Sequence, residues 1–302
     1  MLIKTHFLRL PAMRFIALLL VIGILPWVSN AQSFRENEIT ELTFTVVKTQ
    51  DDSLRAWANE ELLFIIEEVF PLPESFAFPF SSVASWSRLV ASDGKLNVIT
   101  WIYPLPNGEY RYFGFVQLAP VNSECEIIWL TDNEDPAMPN HSAHGADSWP
   151  GALYYNMIVT KHKKTTYYNL IGWDGNNRIS KKKLIEPMTF AEGELQFGAE
   201  IFGDAGKFIK RRAVFEYNGE ASMALNYDNR LKRIVFDHLI PMPGAQSGMY
   251  NMYGPDFTYD AYKWKKGKWQ YIRDVDARNE KQFDTKKDKE VQKDLAPPSP
   301  KK

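Results

Sequence analysis

From residue 82 to about residue 275, apolar side chains recur at every second position, and turn residues interrupt them at short intervals. That period belongs to a pleated strand, whose successive side chains point to opposite faces. It predicts strands over 82–91, 96–103, 109–118, 125–131, 152–160, 166–173, 181–189, 208–217, 221–227, 231–239, 257–264 and 269–275. Between many of them stand Ser92-Asp93-Gly94-Lys95, Pro106-Asn107-Gly108, Asp174-Gly175-Asn176-Asn177, Tyr217-Asn218-Gly219, Asp228-Asn229 and Lys266-Gly267, which are turn chemistry. Strands joined so tightly are antiparallel hairpins. A sheet of this many strands must curl, close or break into blades. The expected fold class is all-β: an antiparallel hairpin meander that makes a curved sheet or incomplete barrel. An irregular β-propeller is the alternative. Trp101, Trp173 and Trp264 sit near hairpin ends, but their unequal spacing is no repeat signature. Phe215, Met223, Leu225, Ile234 and Phe236 are expected on one side of one sheet, as its core.

One amphipathic helix is expected before the meander, near 52–69. Asp51, Asp52 and Ser53 can cap it, and Leu54, Trp57, Ala58, Leu62, Ile65, Ile66 and Val69 form an apolar stripe at helical spacing. Pro71 ends it. Residues 39–47 alternate, with Leu42, Phe44 and Val46 against Thr43, Thr45 and Val47, and predict a further strand.

The first 31 residues have another character. Lys4, Arg9 and Arg14 precede the apolar run Phe15–Val28, and Ser29-Asn30-Ala31 supplies a small-x-small cleavage site. This is the layout of a secretory signal peptide cut after Ala31. The run is shorter than the ~20 residues a membrane anchor needs, so no transmembrane segment is expected after cleavage. Localisation is then periplasmic or secreted. Removing those three cations from 36 leaves 33 basic against 37 acidic side chains, a net of −4 with histidine neutral. That balance argues against nucleic acid as partner and against an anionic membrane surface. The one cysteine, Cys125, permits no internal disulfide, so the core must carry the stability. Residues 32–278 read as a single β-rich domain. The charged segment 279–302, ending in Ala296-Pro297-Pro298-Ser299-Pro300, reads as a disordered tail.

The segments Gly172-Trp173-Asp174-Gly175-Asn176, Tyr253-Gly254-Pro255-Asp256-Phe257-Thr258-Tyr259-Asp260-Ala261-Tyr262 and Asp274-Val275-Asp276-Ala277-Arg278-Asn279 resemble uncharacterised exported proteins of Bacteroidota-type bacteria. Tyr110-Arg111-Tyr112-Phe113-Gly114 is a weaker echo of the same group. The resemblance spans roughly 90–279 and implies a bacterial cell-envelope setting. It implies no activity, since none is assigned to that group.

No G-x-S-x-G, H-E-x-x-H, phosphate loop or G-x-G-x-x-G is present. Ser180-Lys181-Lys182-Lys183 satisfies S-x-x-K, but three lysines after a turn read as a solubilising edge. Cys125 lies between Glu124 and Glu126, and neighbouring anions disfavour the thiolate. The connection Asp132–Trp149 is long and holds Asp132, Glu134, Asp135, Asp147, His141 and His144 without a lysine or arginine. Its carboxylates can offer oxygens to Ca²⁺, and His141, His144 and Asp147 can offer a mixed set to Zn²⁺. The plainer reading is a solvated acidic loop with no cofactor. Trp173, Asp174, Asp256, Asp260 and Trp264 are candidate ligand-binding residues: rings stack on sugars, and two carboxylates at the right separation hydrolyse glycosides. The same residues are also ordinary turn chemistry. The uncharged segment Ile240–Pro255 carries Met242, Met249 and Met252, and its thioethers suit Cu(I) less well than simple packing. His238, on the strand face of Ile234, Phe236 and Ile240, reads as a core histidine.

The expectation is an exported envelope protein acting as a non-enzymatic binding or structural module for a glycan, a lipid or another envelope protein. The alternative is a hydrolase acting on envelope glycan or another extracytoplasmic substrate.

Overall fold

The structure, a computed structural model, describes residues 34–133, 140–203 and 210–276. The expected leader and the tail from 279 lie outside those residues. Two helices, α1 (Glu36–Lys48) and α2 (Asp52–Val69), precede the strands.

α2 matches the expectation at both ends. The Asp51 carboxylate accepts from the Ser53 and Leu54 backbone N–H groups at 2.9 and 3.0 Å, which satisfies two otherwise orphaned donors. Ala58, Leu62, Ile65, Ile66 and Val69 are buried, while Leu54 and Trp57 are exposed. The strand expected over 39–47 is instead α1. Ile39, Thr43 and Val46 are its buried residues, at the i, i+4, i+7 spacing of one helical face. The threonines that suggested a strand bond back into the helix: Thr43 Oγ1 donates to the Ile39 carbonyl at 2.7 Å and Thr45 Oγ1 to Glu41 at 2.8 Å.

The strands are antiparallel and hairpin-linked, as expected, and no sheet among the described residues closes on itself. They form three sheets. The first runs in order through β1 (Ser87–Val90), β2 (Leu96–Pro104), β3 (Tyr110–Leu118) and β4 (Ile127–Leu130). The second holds β5 (His144–Gly145), β6 (Leu153–His162), β7 (Thr165–Asp174), β8 (Ser180–Ala191), β9 (Glu194–Phe197) and β10 (Ala213–Asn218). β8 is central: β7 lines one edge, while β9 and β10 share the other. The third is β11 (Leu225–Asp228), β12 (Arg233–Pro241), β13 (Tyr253–Lys265) and β14 (Lys268–Ile272), in order.

Alternation explains how these pieces stack. In β2, Ile99 and Trp101 face the helices, while Leu96 and Val98 face the second sheet. In β7, Tyr168 and Leu170 face the first sheet and Ile171 the third. The layers therefore run helices, first sheet, second sheet, third sheet, with an apolar core between each pair. A fully buried tryptophan sits in each core with its indole N–H satisfied. Trp101 donates to Asn59 Oδ1 at 3.0 Å, Trp149 to the Tyr154 hydroxyl at 2.9 Å and Trp269 to Asn169 Oδ1 at 2.7 Å.

The core expected on one sheet is divided between two. Leu225, Ile234 and Phe236 belong to the third sheet, and Met223 to the segment leading into it. Phe215 reaches them from β10 of the second, its ring centroid 4.6 Å from that of Phe236.

Candidate functional site

At one end of the stack, the turn before β2, the loop after β3 and the β6–β7 hairpin tip leave the first two sheets apart. The cavity there is about 520 Å³. Leu96, Leu118, Val121, Tyr168 and Phe190 give it an apolar wall, Thr165, Thr166 and Thr189 add hydroxyl-bearing side chains, and Lys95 and Lys164 stand on its rim. Neither lysine forms an ion pair among the described residues. The Asp93 carboxylate, in the same turn as Lys95, accepts from the Tyr168 hydroxyl at 3.1 Å and from the Lys95 backbone N–H at 3.3 Å. Burial pushes the Tyr168 phenol up, and Asp93 adds to the shift, so this hydroxyl stays a donor.

Val121 divides this hollow from a neighbour. Asn122 and Ser123 both take positive φ, closing a two-residue turn that pairs Val121 with Glu124 and leaves Val121 70% exposed. On its other side lies a hollow of about 440 Å³ lined by Leu118, Pro71, Ile127 and Cys125, with Glu124 and Glu126 on it. The two hollows share an apolar wall and differ in the sign of their charged residues. Burial, first, and then Glu124 and Glu74 push the Cys125 thiol up. It is a small, fully buried side chain just ahead of β4 and a poor nucleophile.

The five expected ligand residues do not form one cleft. Asp174 is buried between the first two sheets. Tyr112 Oη donates to its Oδ1 at 3.0 Å, Asn176 N–H donates at 2.7 Å, and Lys182 Nζ stands 3.5 Å from Oδ2. Trp173 packs on Tyr110, with centroids 5.4 Å apart. Asp256, Asp260 and Trp264 belong to β13 of the third sheet. Asp256 caps Thr258, and Trp264 packs between Tyr167 and Trp269.

Asp260 is buried. Its Oδ2 lies 2.7 Å from His238 Nδ1 and accepts from the Tyr271 hydroxyl, while Oδ1 accepts from the Asp274 N–H at 3.0 Å. Burial works to raise this carboxyl, but the bonds from Tyr271, His238 and Asp274 outweigh it and hold it below the ordinary range. A bulge between Asp237 and Leu239 breaks the register beside His238. The histidine expected in the core is therefore part-exposed, with the Asp260 carboxylate as its partner.

A second buried charge pair crosses the second sheet. Arg212 Nε bonds Glu186 Oε2 at 2.6 Å, with both side chains fully buried, and Arg212 Nη1 donates to the Ser142 carbonyl at 2.8 Å. Burial pushes the Glu186 carboxyl up, opposed by Arg212. Gly198 sits against this pair at φ +88°, and a Cβ there would lie 2.9 Å from the guanidinium. No other residue fits both the conformation and the space.

The expected metal loop is only partly described, since Glu134 and Asp135 lie outside the described residues. Asp132 accepts from the Tyr112 N–H at 2.9 Å, and His144 lies in β5. Among the described residues, no three His, Cys, Asp or Glu side chains come together to hold an ion. The S-x-x-K segment is not a solubilising edge: it opens the central strand β8. Ser180 Oγ donates to Glu216 at 2.6 Å, Lys182 is buried, and Lys183 lies 4.3 Å from the Tyr155 ring centroid. Residues three apart on a strand face opposite ways, so Ser180 and Lys183 make no nucleophile–base pair. Met242 and Met249 are exposed, and the turn at Tyr250–Met252 docks on β10 through Asn218 Nδ2 and the Asn251 carbonyl at 3.1 Å.

No family model, curated protein or solved structure matches the chain. No described helix is long and apolar enough to cross a membrane. The residues that line the hollow carried no sequence motif. Lys95 and Lys164 belong to turns of different hairpins, and only the stacking of two sheets brings them to one rim.

Proposed function

We propose that this chain is an exported envelope protein that binds a small apolar ligand between its first two sheets, and that it acts by binding rather than catalysis. The observation that carries the reading is the cavity of about 520 Å³ with its apolar wall, a size within the ~300–1,000 Å³ of small-ligand sites. Two further points support it. The buried carboxylates Asp174, Glu186 and Asp260 are each held by partners inside the fold. The basic, apolar and small-x-small layout of residues 1–31 supports export, and the resemblance to exported proteins supports a bacterial envelope.

The test uses protein purified from its native host, whose N-terminal sequence should begin at Gln32. Titration with the neutral probe N-phenyl-1-naphthylamine should give a saturable rise in fluorescence. Val121→Asp places a charge on the wall of the hollow without touching the core, and should weaken that binding at least about tenfold, ~1.4 kcal/mol. No saturable signal, or one indifferent to Val121→Asp, overturns the binding reading.

A further inference from the structure

We infer that the ligand of this hollow is an anionic single-chain amphiphile, with its carboxylate or phosphate between Lys95 and Lys164 and its hydrocarbon chain on Leu96, Leu118 and Phe190. The inference deepens the binding reading and rests on it. Its basis is the difference in charge between two hollows that share one wall. Leu118, Ala119 and Val121 line both. On one side of Val121 the charged residues are Glu124 and Glu126; on the other they are Lys95 and Lys164.

Apolar lining alone would accept any hydrocarbon. The rims decide the head group. An anion entering the Cys125 hollow meets two carboxylates. In the neighbouring hollow it meets two ammonium groups, each without an ion pair among the described residues. A lysine ammonium offers three rotatable donors on a flexible stem, so two of them can close on a carboxylate or a phosphate without rearranging the sheets. The Asp93 carboxylate keeps its charge while it accepts from Tyr168 and the Lys95 amide, so it offsets one of the two ammonium groups and leaves the rim net positive.

The rim also lies where the stack is open. Lys95 follows Gly94 in the β1–β2 turn, and Lys164 follows Lys163 at the β6–β7 tip; both lysines are exposed. The head group would therefore sit at the water boundary while the chain enters between the sheets. This matches the amphiphile's own division into polar and apolar ends.

Calorimetric titration of the full chain with dodecanoate, dodecyl phosphate, dodecanol and dodecyltrimethylammonium tests this. The two anions should bind about tenfold tighter than dodecanol, the effect of two exposed charge contacts, and dodecyltrimethylammonium weaker than dodecanol. Lys95→Gln/Lys164→Gln should abolish the anion preference while leaving dodecanol binding and the melting temperature unchanged. If dodecyl phosphate exceeds dodecanoate, the head group is a phosphate; the reverse order makes it a carboxylate. Equal binding of dodecanol and the anions, or an anion preference that survives the double substitution, overturns the head-group assignment and leaves the apolar cleft standing. If none of the four probes binds, and the neutral naphthylamine probe also fails, the cleft reading itself falls.

Discussion

The two cores that flank the second sheet are built by opposite means. Between the first and second sheets, the hydrocarbon surrounds charge. Glu186 and Arg212 pair with both side chains fully buried, and Asp174 is held by Tyr112, Asn176 and Lys182. Between the second and third sheets, the filling is aromatic and aliphatic. Phe215, Phe236 and Tyr262 pack in series, and the polar contacts are uncharged: Asn169 bonds Trp269, the Ile158 carbonyl and Thr160, and the Tyr155 hydroxyl donates to the Leu225 carbonyl. Charge there is sparse: His238 and Asp260 pair at the margin, and the part-buried Lys183 ammonium lies over the Tyr155 ring. Hydrophobic filling contributes stability wherever surfaces fit, whereas a buried ion pair returns its desolvation cost only if its geometry is held. The Arg212 bond to the Ser142 carbonyl ties the connection after the first sheet onto the second. We read the ionic core as the one that fixes how the first two sheets stack, and the cleft opens at the end of that same interface.

The largest effect should come from splitting the ionic core. Arg212→Met leaves the Glu186 carboxylate uncompensated and should cost ~3–5 kcal/mol at neutral pH. The sign of its pH dependence follows from the direction of the Glu186 shift. Its carboxyl is already raised by burial, and without Arg212 that burial is opposed only by the Gly198 backbone N–H. A folded carboxyl with a raised value favours the protonated form, so the variant should regain stability in acid and lose it as pH rises through the folded value. Replacing both partners, as Glu186→Leu/Arg212→Met, should be neutral or stabilising by ~1–4 kcal/mol. Urea melts of the three proteins decide it. A single variant as stable as the double one would remove the contrast between the two cores.

Next is the aromatic core. Phe236→Ala deletes a buried ring from the third sheet, at ~3 kcal/mol. We place it at the low end of such losses because its neighbours Phe215, partly buried, and Tyr271, exposed, can relax toward the gap. The loss should show no pH dependence beyond that of the parent, unlike Arg212→Met. A loss below about 1 kcal/mol would mean that the third sheet packs less closely than its ring contacts indicate.

How much of this was legible follows from where each signal resides. Hairpins were legible because alternation and turn residues lie side by side in the chain. Val98-Ile99-Thr100-Trp101-Ile102 runs nearly unbroken in β2 because both faces of the first sheet are covered. That run marked a strand, but it did not say that the meander breaks into stacked sheets. Residues 39–47 misled because a segment in which six of nine residues are β-branched fits a strand and a helix face alike. Glu36 and Glu38 ahead of it and Lys48 behind it complement a helix dipole, and were the better guide. Asp174 and Asp260 were visible as residues, and their burial was not. The rim of the cleft had no sequence pattern, since Lys95 and Lys164 meet only through tertiary packing.

The smallest effect lies at the margin of the aromatic core. Asp260 is the acid of the aromatic interface, as Glu186 is of the ionic one, and their carboxyls shift in opposite directions. The hydrogen bonds from Tyr271, His238 and the Asp274 amide hold Asp260 below its unfolded value of ~3.9. A lowered carboxyl contributes stability above the unfolded value and loses it as pH falls through the folded one. Asp260→Asn should therefore flatten the acid limb of the stability curve below about pH 4 and leave the course from pH 5 to 8 parallel to the parent. Tyr271→Phe removes one donor and should give a smaller flattening in the same window. Urea midpoints measured from neutral pH down to about pH 2.5 provide the curve. Acid limbs that stay parallel for parent and Asp260→Asn would mean that His238, Tyr271 and Asp274 do not stabilise the carboxylate, and the margin of the aromatic core would carry no linked charge at all.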